Sequence, residues 1–184
     1  MAPWGAVLLF WVGLESAWGA LLCYHAQVVV WGLVEGRQWK IRGQIGKSWA
    51  LILPTLLVGV GAYYVIPELI KVELGTWLQR YGLEGWSFVL MVFYFGLVHP
   101  WIEQYHWRSI TDRGWWGHVL FAGYHILVVM SLMPTLWVVA TFVVLCFTSV
   151  LWERMYQREG TLVAPTLLHI FADFGMILAV WALL

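Results

Sequence analysis

Residues 134–151 read Pro134-Thr-Leu-Trp-Val-Val-Ala-Thr-Phe-Val-Val-Leu-Cys-Phe-Thr-Ser-Val-Leu151, without a single charged side chain. A helix crosses the hydrocarbon core of a bilayer with about 20 apolar residues, and this stretch nearly meets that requirement alone. The rest of the chain has the same character. Of its 184 residues 62% are hydrophobic and only 11% charged, with 15 Trp. Globular domains carry about 25% charged residues. A water-soluble domain of this length could not hide so much apolar surface, so lipid is the expected solvent. The fold class that follows is all-α, a polytopic membrane helix bundle forming one embedded unit over residues 1–184.

Working outward, about six spans are expected. The first lies within Trp4 to Val34, long enough to tilt or to carry an interfacial extension. It has no Lys or Arg ahead of it, as a signal peptide would, so it reads as a retained helix. A polar, basic segment from Glu35 to Lys47 follows, then a second span from about Ser48 to Ile66 with its exit at Pro67 and Glu68. Residues 68–85 mix charges with Leu, Ile, Val and Trp, as in a helix lying at the interface. A third span starts near Trp86 and runs through Pro100; Ser109 to Trp116 reads as a turn. Spans four and five, about Gly117 to Met133 and Pro134 to Leu151, are divided by little more than Pro134. Glu153 to Gly160 reads as the last polar loop, before a sixth span from Thr161 to Leu184.

Counting Lys and Arg tests the layout. Arg37, Lys40, Arg42, Lys47, Arg108, Arg113, Arg154 and Arg158 fall on one side, and Lys71 and Arg80 on the other. The positive-inside rule makes the first side cytoplasmic and puts both termini outside. The 10 basic and 10 acidic side chains balance, leaving no basic field for nucleic acid. Cys23 and Cys146 lie in apolar runs without metal-type spacing and read as buried free thiols. The Trp residues read chiefly as belts at the two membrane surfaces.

Three polar clusters interrupt the apolar stretches: Glu103-Gln-Tyr-His-Trp-Arg108, Phe121-Ala-Gly-Tyr-His125 and His169-Ile-Phe-Ala-Asp173. Ionisable groups inside a bilayer are costly and usually face a polar interior. His125 and His169 each enter about eight residues from the cytoplasmic side, about 12 Å deep at 1.5 Å per residue. Glu103 reaches a similar depth if its helix continues towards Arg108. His169 and Asp173 are four apart and share a helix face. Glu103 and Arg108, five apart, do not stack well, so a bend or a partner on another helix is expected. His25, His99, His106 and His118 show no comparable partners and are assigned to packing, interface or loops. Glu15 also has no evident partner, leaving it either buried or near the outer surface.

The order Glu-Gln-x-x-x-Arg, Phe-x-x-x-His, His-x-x-x-Asp, with the lead-in Tyr156-Gln-Arg-Glu-Gly-Thr-Leu-Val-Ala-Pro-Thr-Leu-Leu-His169, resembles the CPBP family of intramembrane proteases, also called the Abi or type II CAAX prenyl endopeptidase family. The resemblance covers residues 96–184. It implies hydrolysis of a peptide bond in a membrane-associated protein or peptide by a glutamate-activated water, in a bacterial inner membrane. By carry-over Glu103 is the general base, His125 helps to hold the water, and His169 with Asp173 stabilises the oxyanion or positions the carbonyl. Arg108 orients the carboxylates. Gln104 stands where the family usually has a second Glu, and Asp173 where many members have Asn. Such chemistry needs a base within reach of water and a donor aimed at the developing charge. Glu, His, His and Asp could also ligate zinc, but the HExxH arrangement is absent and the resemblance implies a metal-free site without cofactor. Two other readings stay open. One is a catalytically silent scaffold or immunity-type protein, favoured by Gln104. The other is a proton-relaying transporter, against which no inverted repeat is found.

Overall fold

A computed structural model describes residues 2–36 and 46–184. The segment containing Arg37, Lys40 and Arg42 lies outside the described residues. Every regular element among those described is helical. Helix α1 (Ala2–Ala6) runs on into a π-helical stretch, Val7–Gly13, and is followed by α2 (Ala17–Val34), α3 (Ile52–Leu69) and the short α4 (Leu74–Arg80). Then come α5 (Gly85–Phe93), a π-helical turn Tyr94–Val98, α6 (His99–Thr111), α7 (Trp116–Val129), α8 (Thr135–Glu159) and α9 (Val163–Ala182). Four helices are long and apolar enough to cross a membrane: α2, the continuous Gly85–Thr111, α8 and α9. Leu57–Leu69 of α3 and Trp116–Val129 are shorter apolar helices. The chain is therefore built for a membrane, and its outer faces fit: Leu136, Val143, Val144 and Phe147 of α8 are all exposed.

The expected first span is two helices. Glu15 adopts φ 52, a left-handed conformation rarely used outside glycine, and Ser16 caps α2 by accepting from the Gly19 amide. The chain reverses there, so Ala6 packs with Tyr24 and Val28 as the second arm of a hairpin. The amino-terminal residues are turned back into the bundle, with Trp4 donating to the Leu120 carbonyl, whereas Leu184 lies beside Glu73 and Leu78. The termini do not share an end. Glu15 finds its partner in Arg80, an exposed ion pair that holds the Glu15 carboxyl below its usual range.

Three other boundaries differ from expectation. Within residues 68–85 only Leu74–Arg80 forms a helix of its own, because Glu73 caps it through the Gly75 and Thr76 amides and α3 extends to Leu69. The supposed loop from Glu153 belongs to α8, which stops at Gly160 with φ 68, the left-handed C-cap that glycine supplies cheaply. Helix α6 also continues to Thr111, leaving a turn of only four residues, 112–115, before α7.

Two devices set the positions of the central helices. Pro100 lacks the N–H that would bond one turn back, and the π-helical turn Tyr94–Val98 absorbs the mismatch. Within that turn a Cβ on Gly96 would collide with the Phe174 ring and crowd its backbone, so the bare backbone lets α9 approach closely. Gly59 and Gly175 make the matching contact between α3 and α9, where a Cβ on Gly59 would meet backbone at 2.7 Å. Small residues of this kind set helix approach in lipid, where there is no hydrophobic force to bring helices together.

Gly61 has open space where Gly59 has none. Gly59→Ala is therefore expected to cost about 1–3 kcal/mol by overpacking, and Gly61→Ala to gain about 0.5–1 kcal/mol from helix propensity. Thermal unfolding of the two variants in detergent checks the pair; equal shifts would mean that the α3–α9 contact is not close.

Candidate active site

Three helices bring the sequence clusters together. Glu103 on α6 has 0% exposure, and three imidazoles surround its carboxylate. His99 Nε2 lies 3.4 Å from Oε2, His169 Nε2 3.3 Å from Oε2, and His125 Nε2 3.8 Å from Oε1. These separations exceed an aligned hydrogen bond, and neither oxygen makes one. His169 Nε2 also lies 3.1 Å from Asp173 Oδ2, and its Nδ1 is 3.2 Å from Gln104 Nε2. Five of the six residues expected from sequence thus converge: Glu103, Gln104, His125, His169 and Asp173.

The partners assign the ring protons. A carbonyl only accepts, so His125 Nδ1, 2.7 Å from the Phe121 carbonyl, must donate to it. In a neutral ring that leaves His125 Nε2 bare, facing a carboxylate oxygen. His169 is the opposite case. Its Nε2 faces two carboxylates and carries the proton, and its Nδ1 accepts from the Gln104 amide. The two oxygens of Glu103 therefore differ: Oε2 sits between two imidazoles, and Oε1 faces a bare nitrogen across a gap.

Aromatic walls hold each ring in its plane. Trp152 stacks on His169 at 4.2 Å and Phe95 on His99 at 4.8 Å. Tyr124 lies 4.0 Å from His125, tilted by 33°. Rings clamped in this way keep polar groups on target without loop support. The His125 and Asp173 side chains, 23% and 19% exposed, form the reachable edge of the site, while Glu103 and His169 lie behind them.

Arg108 does not join this group. It pairs instead with Asp112, four residues on, and at 2.9 Å with Glu153 of α8, lying 4.7 Å over the Tyr156 ring. Its role as an orienter of Glu103 or Asp173 is corrected accordingly: it orients Glu153. The second carboxylate oxygen of Glu153 lies 2.7 Å from His118 Nε2, and His118 Nδ1 lies 2.8 Å from Ser149 Oγ. A cavity of about 10 Å³, room for one water, touches both groups through Glu103, Gln104, Arg108, Ser149 and Glu153.

Sequence reasoning misses two parts of this arrangement. His99 reads as a packing residue, yet it stands four residues before Glu103 on one helix and touches it; that i,i+4 spacing is the available signal. His118 reads likewise, and Ser149 and Glu153, also four apart, hold it from the facing helix. Among the described residues, no group of three His, Cys, Asp or Glu is spaced to hold a metal ion.

Removing one partner of a buried pair leaves the other charge uncompensated. Arg108→Ala is expected to lower stability by about 3–5 kcal/mol. In a Glu153→Gln background that cost should shrink by about 1–3 kcal/mol, the coupling of the pair. A double-mutant cycle on thermal unfolding checks it, and additive effects would deny the pairing.

No family model, no curated protein and no solved structure matches the chain.

Proposed function

We propose that this chain is a glutamate-type intramembrane endopeptidase, similar to the CPBP family, acting on a membrane-associated protein or peptide. The observation that carries the reading is the 3.8 Å gap between Glu103 Oε1 and the bare Nε2 of His125. Both atoms are acceptors, and neither can donate to the other. A water molecule placed between two such acceptors donates one hydrogen to each and turns a lone pair outward. That is the orientation an attacking nucleophile needs.

The steps balance with the residues at hand. Water attacks the scissile carbonyl carbon as Glu103 Oε1 takes one of its protons, and the carbonyl oxygen becomes an oxyanion. His169 Nε2–H, held by Asp173, is the donor this reading assigns to that charge. As the tetrahedral intermediate collapses, the C–N bond breaks and Glu103 returns the proton to the leaving amine. General acid–base catalysis of this kind contributes about 10²–10⁴-fold.

The path of the chain supports the membrane setting. Ser48, Arg108, Arg113, Arg154 and Arg158 belong to one end of the bundle, while Glu15, Lys71, Arg80 and Leu184 belong to the other. Helices α2, Gly85–Thr111, α8 and α9 are long enough to cross, and with the shorter α3 and α7 taken as passes between the same ends we read six crossings. The basic end is cytoplasmic by the positive-inside rule. Glu103 then lies about 12 Å below that surface, eight residues from the end of α6. A bacterial inner membrane is the setting the resemblance implies.

The test uses the full chain in vesicles, with fluorogenic single-pass and prenylated C-terminal peptides as probes. Glu103→Gln and His125→Phe should each lower cleavage by about 10²–10⁴-fold without loss of folded protein, and a chelator should leave wild-type cleavage unchanged. Chelator-sensitive cleavage would move the chemistry to a metal. Equal behaviour of folded wild type and Glu103→Gln on every probe would favour the silent scaffold.

A further inference from the structure

Behind the Glu103 carboxylate runs a second row of polar side chains. The Tyr94 hydroxyl lies 2.9 Å from His25 Nδ1, His25 Nε2 lies 2.9 Å from His99 Nδ1, and His99 Nε2 lies 3.4 Å from Glu103 Oε2. His25 and His99 are each 3% exposed. The row joins α2 to the π-helical turn and the first residue of α6, two neighbouring parts of the continuous helix Gly85–Thr111. Its rings are also stacked: His25 lies on His99 at 5.2 Å and 18°, and Phe95 on His99 at 4.8 Å and 15°.

Direction along the row follows from elementary proton accounting. A neutral imidazole has one donor nitrogen and one acceptor, so a choice made at one end is passed to the other. An ionised Glu103 only accepts. His99 then carries its proton on Nε2 and has a bare Nδ1, which must accept from His25 Nε2–H. The bare Nδ1 of His25 accepts in turn from the Tyr94 hydroxyl. Both 2.9 Å contacts are satisfied in that sense, with His99 Nε2–H turned towards Oε2 at 3.4 Å, and the reverse sense requires a protonated Glu103.

We propose that Tyr94, His25 and His99 form a positioning row that fixes Oε2 of Glu103 and thereby presents Oε1 to the reacting water. This rests on the hydrolytic reading above. His169 holds Oε2 from the substrate side, where its N–H is shared with Asp173 and with the developing oxyanion. His99 supplies the donor that the reaction does not call on. The row touches the carboxylate alone and no part of a peptide. Its loss should therefore fall on kcat, with KM changed little.

Two measurements on the full chain in bilayers decide the matter. In solid-state ¹⁵N NMR of histidine-labelled protein, His25 and His99 should both be neutral with protonated Nε2 and bare Nδ1, and a hydrogen-bond correlation should join His25 Nε2 to His99 Nδ1. A protonated Nδ1 on either ring, or a missing correlation, would overturn the row whatever the activity. On any peptide the wild type cleaves, His99→Leu should lower kcat about 100-fold with KM within about twofold, since small misplacements of a reacting group cost this much. His99→Gln, which restores an N–H donor, should recover most of the loss; no better rate than His99→Leu would also sink the proposal. A wild type that cleaves no probe while showing the expected tautomers would remove the hydrolytic purpose and leave the row. The opposite pair of results would remove the row and leave the hydrolase.

Discussion

A carboxylate without exposure in the interior of a lipid-embedded bundle has to be surrounded by donors. Taking a charged group out of water costs several kcal/mol even after relaxation, and lipid offers nothing to repay it. Glu103 is in that position. Its compensation comes from His99 of its own helix and His169 of α9, while His125 of α7 presents a bare nitrogen to Oε1 and meets it only through a bridging water. Each of these helices must approach at one depth and one rotation. The π-helical turn ahead of Pro100 and the bare Cα of Gly96 are what allow it, since a single methyl on Gly96 would push α9 and His169 away.

Helix α8 shows the same logic one layer nearer the basic end. Most of its surface faces outward, and among its described residues only Ser149, Trp152 and Met155 are buried. Ser149 and Glu153 grip His118 of α7, Glu153 also holds Arg108 of α6, and Trp152 lies flat on His169 of α9. With so little apolar burial, polar contacts fix the rotation of this helix. The second layer thus steadies the first through shared neighbours, and one small cavity touches both.

Much of this is legible in the sequence because it depends on spacing along helices. Composition alone requires a membrane bundle, and the rise of a helix by itself brings Glu103, His125 and His169 to one depth. Charges in capping or terminal roles are not legible. Glu73 ends a bend by accepting two amides, and Glu15 sits at a reversal that no propensity would place on a glutamate. A charged run such as Glu153 to Glu159 reads as a loop until its partners on other helices are known. His99 escapes for a different reason: in an apolar run it looks like an isolated histidine, although its partner stands one turn away on the same helix.

The proton accounting around His169 gives positions 104 and 173 different parts. The Gln104 amide meets Nδ1, and Asp173 and Glu103 meet Nε2. A carboxylate at 104 would need Nδ1 to donate, so the ring would have to carry two protons and a positive charge. Three carboxylates would then surround one imidazole in a medium that screens poorly. The Gln104 amide asks for no second ring proton, the Nε2–H is committed to the carboxylate side, and Asp173 supplies there the acceptor that a carboxamide would offer more weakly. The Nδ1 face of His169 meets a neutral amide, and the negative charge lies on the face that looks towards Glu103 and the reachable edge. Charge on that face can act on whatever group meets the Nε2–H, whereas charge on the Nδ1 face could act only through the ring.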